Sequence, residues 1–125
     1  MKRTKTSLRK ECDKLWSLIV RAKGACEVCG SPYYLNAHHI VGRSIYILRF
    51  DLRNGACLCV GHHKWNNLSA HENSPWFTKW MQQNRPDDLD YINSKSEIIA
   101  HYTLSDYEQI YQRLKEAYDE IRQDA

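Results

Sequence analysis

Two stretches of the chain, one near each end, place apolar residues at the spacing of an amphipathic helix. The first predicts a helix from Ser7 to Lys23, and Gly24 follows it as a natural carboxy-terminal stop. Cys12 lies on the apolar stripe of this helix, so we expect it in the core rather than on a metal ion. The positions of the stripe are Leu8, Cys12, Leu15, Trp16, Ile19 and Val20.

The carboxy-terminal stretch has a clear start. Ser105 and Glu108 have the spacing of a capping box, and Leu104 stands just before them. We expect the tyrosines of the helix that follows to face the core, and we assign them no chemistry. A shorter helix is predicted between Asp87 and His101. The apolar stripe of the last helix consists of Tyr107, Ile110, Tyr111, Leu114, Tyr118 and Ile121.

The segment between these helices, from Ala25 to Gln83, is irregular and rich in Cys, His, Gly and Asn. Short apolar runs predict one strand over Tyr34 to His39 and a second over Ala56 to Cys59, with a long loop between them. A helix is predicted to begin near Gly61 and run past Lys64. Another is predicted to begin at Ser74-Pro75, because serine caps helices and proline suits the first turn.

These elements predict an α+β fold, organised as one compact domain in three zones. A basic amino-terminal helix occupies residues 1–24, a metal-stabilised core occupies residues 25–83, and a helical extension occupies residues 84–125. The chain has 125 residues, of which 42% are hydrophobic. Burial alone gives a domain of this size only marginal stability, so a structural metal would help.

The net charge of +3 is distributed unevenly along the chain. Residues 1–23 carry eight basic and two acidic side chains, whereas residues 84–125 carry five basic and ten acidic ones. The basic end suits either a phosphate backbone or an ordinary solvated helix face, and charge alone does not decide between them. The basic start precedes no apolar run, and no run reaches membrane-spanning length, so we expect an intracellular protein that contacts no membrane.

The cysteines indicate a metal site. They number five, an odd count, and two of them form the pair Cys26-x-x-Cys29. In a reducing compartment this pattern favours metal binding over disulfides. A tetrahedral zinc ion needs four ligands, and two such pairs usually supply them.

The second pair of zinc ligands is expected in the segment 57–63. Cys59 and His62 repeat the two-residue gap of the first pair. Two alternatives stay open, since Cys57 could replace Cys59 and His63 could replace His62. The predicted ligands of a structural zinc ion are Cys26, Cys29, Cys59 and His62.

Several short motifs follow one another between residues 26 and 80. They are Cys26-x-x-Cys29, Ala37-His38-His39-Ile40-Val41, Asn54, Leu58-Cys59-x-x-His62-His63-x-Trp65 and Ser69-Ala70-His71-Glu72-Asn73-Ser74-Pro75-Trp76-Phe77. Their order resembles that of HNH (His-Me finger) endonucleases, and more narrowly that of the small HNH proteins encoded by phages. The resemblance covers roughly half of the chain. Each motif is short and degenerate, but their order and spacing together are specific.

The resemblance implies a ββα-metal core, in which one strand ends in the His-His pair, a second strand follows, and a helix returns a metal ligand. It implies that His39 is the general base, a role that suits imidazole because its pKa lies near neutrality. His38 and His63 would hold a divalent ion, either Mg²⁺, Mn²⁺ or another divalent transition metal. Asn54 would organise the loop that orients His39.

A third protein ligand for this catalytic ion is less clear. Asn67 lies one turn after His63 on the predicted helix, and we expect it to be that ligand. His71 is the competitor, although a capping or packing role suits it equally well. His38 occupies a position where many members of the family have Asp, which makes the site softer and favours transition metals beside Mg²⁺.

Basic residues around the His-His pair are candidates for contact with substrate. Arg43 and Lys64 are predicted to bind DNA, because cationic side chains suit phosphate oxygens. For Arg49 and Arg53, phosphate contact and simple solvation of the loop are equally good interpretations.

These expectations describe a metal-dependent endonuclease that hydrolyses DNA phosphodiester bonds in the cytoplasm of a host cell. One such site cuts one strand, so a double-strand break would need a homodimer or two sequential events. Two alternatives stay open: a structure-specific nuclease of phage recombination, and a non-catalytic zinc module that binds nucleic acid or a protein. Phage recombination or packaging proteins are further candidate partners.

Overall fold

The computed structural model describes residues 3–124 and begins with helix α1, Lys5–Arg21. Thr4 caps this helix, and its hydroxyl oxygen accepts from the backbone N–H of Ser7 at 3.1 Å, so the helix starts two residues before the predicted point. All six apolar positions predicted for its stripe are buried, including Cys12. The prediction that Cys12 belongs to the core is confirmed.

Two short antiparallel strands form the sheet: β1, Leu35–His39, and β2, Gly55–Cys59. Leu35 pairs with Cys59 and His39 with Gly55, so the His-His pair lies at the end of the sheet where β2 begins. A Cβ atom at position 55 would approach Val20 Cγ2 to 2.5 Å, and glycine therefore lets α1 lie directly against the start of β2. Both predicted strands are present, each with a bound shifted by one residue.

The connection from β1 to β2 contains structure that the sequence pattern did not indicate. Helix α2 spans Tyr46–Arg49, and a 3-10 turn spans Leu52–Asn54. The side chain of Asp51 caps that turn by accepting from the backbone N–H of Arg53 at 2.9 Å. Both elements are too short to leave a periodic pattern.

The helix predicted to run past Lys64 is a single π-helical turn, Gly61–Trp65. The backbone N–H of Asn66 donates to the carbonyl of Gly61 at 2.9 Å, the bond between residues five apart that defines such a turn. A Cβ atom at position 61 would lie 2.8 Å from the side-chain nitrogen of Asn66, so a larger residue there would displace that side chain. Residues 66–73 form bends and turns, so the predicted continuation of the helix is wrong.

Three helices complete the fold: α3, Ser74–Asn84; α4, Pro86–Lys95; and α5, Leu104–Asp124. The predicted capping box at Ser105 and Glu108 is wrong in detail. Thr103 and Asp106 form it instead, with reciprocal bonds of 2.8 and 3.1 Å between each backbone N–H and the other side chain. Helix α5 therefore starts one residue before the predicted cap.

The sheet separates two hydrophobic clusters. One joins α1 to α5 around Trp16 and includes Cys57 of β2. The other joins β2 to α3 and includes Ala56, Leu58 and Phe77. Because successive side chains of a strand point to opposite faces, β2 contributes to both clusters. The chain thus has an α+β fold, a small two-stranded antiparallel sheet between helices.

Among the helices of residues 3–124, none combines the length and the apolar character that crossing a bilayer requires.

Candidate metal centres

The four predicted zinc ligands come together, with their ligand atoms all within 4.8 Å of one another. The sulfur atoms of Cys29 and Cys59 are 3.8 Å apart. Nδ1 of His62 lies 3.3 Å from the sulfur of Cys59 and 4.0 Å from that of Cys26. This Cys₃His group could bind a metal ion such as zinc.

The spacing of these atoms suits a tetrahedral ion. Two thiolates on one zinc ion lie about 3.8 Å apart, because each Zn–S bond is about 2.3 Å long. That value matches the distance between Cys29 and Cys59, and the two distances to His62 lie on either side of what a thiolate and an imidazole require. The donor set fits a structural site, with four protein ligands and no open position.

The turn that presents Cys26 and Cys29 is fixed by the backbone. Gly30 has a φ of +78°, a left-handed conformation that favours glycine, and its N–H donates to the carbonyl of Cys26 at 2.8 Å. The N–H of Glu27 donates to the carbonyl of Cys57 at 2.8 Å, which fastens the turn to β2. Backbone hydrogen bonds therefore hold the two halves of the Cys₃His group together independently of a metal ion.

The two alternative zinc ligands lie elsewhere. Cys57 is fully buried in the cluster around Trp16, and burial raises the pKa of its thiol. His63 belongs to a second group of histidines. Neither belongs to the Cys₃His group, which supports the preferred set over both alternatives.

The second group consists of His38, His63 and His71, whose ring nitrogens lie within 4.8 Å of one another. The Nε2 atoms of His63 and His71 are 3.0 Å apart. Two imidazole nitrogens at right angles on one ion lie about 3.0 Å apart when each bond is about 2.1 Å long. Three imidazoles are ligands that divalent transition metals favour, so the group fits such an ion.

Contacts around these rings fix their orientation. Nδ1 of His63 donates to the side-chain oxygen of Asn36 at 2.9 Å, which leaves Nε2 of the neutral ring with its lone pair free for a metal. The ring of His38 meets His63, His71 and Phe77 edge-on, with centroids 5.0 to 5.2 Å away. Burial, followed by the neighbouring histidines, lowers the pKa of His38 to about 3, and it lowers that of His63 to about 4. Both rings are therefore neutral near pH 7, the form that binds metals.

His39 lies on the other face of the sheet from His38. Its ring stacks on Trp16, with centroids 3.7 Å apart and an angle of 8° between the planes. Its Nε2 is 2.9 Å from the carbonyl oxygen of Arg49. A carbonyl only accepts, so Nε2 must carry the proton, and Nδ1 of the neutral ring then has a lone pair that can take one. Burial lowers the pKa of His39.

Asn54 is fully buried beneath the loop that carries this carbonyl. Its side-chain oxygen accepts from the N–H of Val41 at 2.8 Å, and its amide donates to the carbonyls of Val41 and Leu48 at 2.9 and 3.1 Å. These bonds hold the strand end and helix α2 together. Removal of the amide would leave buried backbone groups without partners, which is costly.

A cleft of about 590 Å³ joins His39 to the group of His38, His63 and His71. Adjacent residues of a strand point to opposite faces, but at the end of β1 both His38 and His39 reach this cleft. Arg43 and Lys64, the predicted DNA contacts, are exposed and line it as well. The other residues that line the cleft are Asp13, Trp16, Ser17, Ala37, Gly42, His63 and His71.

The third ligand predicted for the catalytic ion needs correction. The sequence pattern predicts Asn67 one helical turn after His63, but the π-helix ends at Trp65, and Asn67 lies exposed in the bend that follows. Asn67 is not among the described residues that line the cleft. His71 reaches the cleft instead, because its backbone N–H donates to the carbonyl of His63 at 3.1 Å and brings the two rings together.

Arg49 and Arg53, for which the sequence left two interpretations open, both form ion pairs within the chain. Arg49 makes a two-bond pair with Asp13 of α1, and Arg53 bonds the carboxylate of Asp88 at 2.7 Å. Asp13 and its pair with Arg49 were not anticipated from sequence, since the partners are 36 residues apart. The one signal in the sequence is that Asp13 is one of only two acidic residues in a basic helix.

Comparison with models of known protein families, with curated proteins and with solved structures gave no match to this chain. The resemblance to HNH endonucleases therefore rests on the motifs of the chain itself.

Proposed function

We propose that this protein is a metal-dependent endonuclease of the HNH type that hydrolyses DNA phosphodiester bonds. The observation that carries the proposal is the convergence of His39, with an unprotonated Nδ1, and the group His38, His63 and His71 on one cleft. In this interpretation β1, β2 and the π-helical turn form the ββα-metal core, with the turn in place of a regular helix. The Cys₃His group would hold a structural zinc ion beside it.

His39 acts as the general base in the proposed reaction. Its Nδ1 takes a proton from the attacking water, while the carbonyl of Arg49 stabilises the positive charge that the ring gains. Stacking on Trp16 keeps the ring from rotating away. General-base assistance of this kind contributes about 10²- to 10⁴-fold to a rate.

A divalent ion bound by His38, His63 and His71 would stabilise the negative charge on the scissile phosphate and on the leaving oxygen. These residues bind through neutral imidazole nitrogens and so favour a transition metal such as Mn²⁺ over Mg²⁺. Three protein ligands leave positions open toward the cleft, as a catalytic site requires.

The charge of the cleft suits an anionic substrate. Arg43 and Lys64 line it, and among the described residues neither makes an ion pair. The carboxylate of the cleft, Asp13, is already neutralised by Arg49. A phosphate backbone would therefore meet net positive charge at the mouth of the site.

A plasmid-nicking assay tests the proposal. The zinc-loaded protein is expected to convert supercoiled plasmid to the nicked form with Mn²⁺ or Mg²⁺, and EDTA should stop the reaction. His39→Ala should keep its zinc and its fold and lose at least about 100-fold in rate. His101→Ala, which alters an exposed histidine outside the cleft, is the matched control and should cleave like the unaltered protein.

The same assay separates the alternatives. A non-catalytic zinc module would bind nucleic acid but would not cleave it in the presence of either Mn²⁺ or Mg²⁺. A structure-specific nuclease of phage recombination would cut branched DNA much faster than linear duplex. Full activity of His39→Ala would overturn the assignment of the base.

A further inference from the structure

The ion pair between Asp13 and Arg49 lies against the candidate site. Asp13 belongs to α1, and Arg49 ends α2. The guanidinium makes two parallel bonds, from Nε to Oδ1 at 2.9 Å and from Nη2 to Oδ2 at 2.7 Å. The two side chains are only 12% and 19% exposed, so water screens this pair far less than an ordinary surface pair.

Arg49 connects this pair to His39 through its own backbone. Its carbonyl oxygen accepts a hydrogen bond from Nε2–H of His39, with nitrogen and oxygen 2.9 Å apart. Its guanidinium also donates from Nη1 to the carbonyl of Arg43 at 3.4 Å. One side chain therefore spans both ends of the segment 43–49 and fixes the carbonyl that orients the ring.

Helix α1 holds the same ring from its other side. Trp16 lies three residues after Asp13, a spacing that puts both side chains on one face of the helix. Its indole stacks on His39, and its Nε1 donates to the carbonyl of Asp51 at 2.9 Å. The helix thus supplies a flat support for the ring and, through Asp13, an anchor for the carbonyl.

We propose that Asp13 is a positioning residue for His39. By fixing Arg49, it holds the carbonyl that keeps the ring in the tautomer with the proton on Nε2 and the lone pair on Nδ1. The consequence for catalysis rests on the proposed function, whereas the consequence for the tautomer does not. Asp13 also lines the cleft, but both of its oxygens are engaged by Arg49, which argues against direct binding of the ion.

Nitrogen chemical shifts of the His39 ring, measured in the zinc-loaded protein at mildly alkaline pH, test the link without any need for activity. The unaltered protein should show mainly the Nε2-protonated tautomer. Asp13→Asn and Arg49→Lys should each give a mixture of tautomers. Asp119→Asn breaks a different pair, with Lys115 on α5, and serves as the matched control with an unchanged tautomer.

The kinetic test uses the same variants in the nicking assay. Asp13→Asn should lower kcat by about 10- to 100-fold with KM for DNA unchanged, as misplacement of a catalytic group does. The double variant that combines Asp13→Asn with Arg49→Lys should cleave as fast as the less active of the two single variants, because both changes break the same link. Asp13→Glu, which keeps the charge, replaces Asp13→Asn if the latter does not fold.

An unchanged tautomer in Asp13→Asn would overturn the proposal. So would recovery of the lost rate at higher Mn²⁺ concentration, since that outcome would make Asp13 a ligand of the ion. If the unaltered protein does not cleave DNA, yet Asp13→Asn shifts the tautomer, the proposed function fails and the positioning role stands.

Discussion

The two groups of metal-binding side chains differ in how they are built, although His62 belongs to one and the next residue, His63, to the other. The Cys₃His group takes two ligands from the turn at residues 26–29 and two from the junction of β2 with the π-helical turn, each pair with a two-residue gap. The histidine group takes its members from the end of β1, the π-helical turn and the turn at residue 71. Local spacing specifies the first group, whereas the path of the whole chain specifies the second.

The two groups also differ in what they leave open. The Cys₃His group offers four ligands, the number that completes the tetrahedral coordination of a zinc ion. It lies against the hydrophobic cluster that joins β2 to α3. The second offers three ligands beside a cleft. We therefore expect changes in the first group to affect folding and changes in the second to affect chemistry.

The sharpest test of this contrast, and the largest expected effect, compares two cysteines of β2. Cys59→Ala removes a predicted zinc ligand and should abolish stoichiometric zinc binding and lower the melting temperature by at least about 10 °C, because zinc binding contributes folding free energy. Cys57→Ala, two residues earlier, removes only a buried thiol and should cost about 1 to 2 kcal/mol. Metal analysis and thermal melting check both.

The Cys57→Ala control can contradict the assignment of Cys59 as a zinc ligand. Equal loss of zinc in both variants would show that the metal depends on the packing of β2 rather than on the sulfur of Cys59. Full zinc content in Cys59→Ala would remove this cysteine from the ligand set.

A second comparison uses the neighbours His62 and His63. His62→Ala should lose zinc and melt at lower temperature. His63→Ala should keep zinc and lose about 10²- to 10³-fold in cleavage, because the charge-stabilising ion is then held poorly. Zinc content measured beside cleavage rate separates the two; loss of zinc in His63→Ala would contradict the division between the groups.

Much of this architecture was predictable from sequence for a physical reason. Helix α1, both strands and the Cys₃His group depend on periodicity and on short-range spacing, which a sequence displays directly. The errors arose where the backbone departs from regular geometry. The π-helical turn looks like the start of an α-helix, so Asn67 was placed on a turn that does not exist.

The functional residues that the sequence pattern does not reveal make contacts with residues far away along the chain. Asp13 and Arg49 are 36 residues apart, and no local pattern joins them. Asn36 lies two residues before His38 but belongs to no motif, because its contact with His63 depends on the antiparallel pairing of β1 with β2. Such contacts follow from the fold and not from a motif.

The third prediction concerns the ligand on which sequence and structure differ. His71→Ala should weaken the apparent affinity for Mn²⁺ by about 10- to 100-fold while zinc content and melting temperature stay nearly unchanged. Asn67→Ala, at the position predicted from sequence, is the matched control and should leave the Mn²⁺ dependence of cleavage unchanged. The reverse pattern would restore Asn67 as the ligand and return His71 to a packing role.

The smallest expected effect belongs to Asn36, which would act on a bound ion only through His63. Its side-chain oxygen accepts from Nδ1 of His63 at 2.9 Å, and this bond favours the tautomer whose Nε2 can bind metal. Asn36→Ala should therefore reduce Mn²⁺ affinity by about tenfold, less than His71→Ala, and leave the rate at saturating Mn²⁺ almost unchanged. Asn36→Asp keeps the acceptor and should retain the affinity. Mn²⁺ titrations of cleavage check both, and a fall in the saturating rate of Asn36→Ala would instead indicate that Asn36 contacts the substrate.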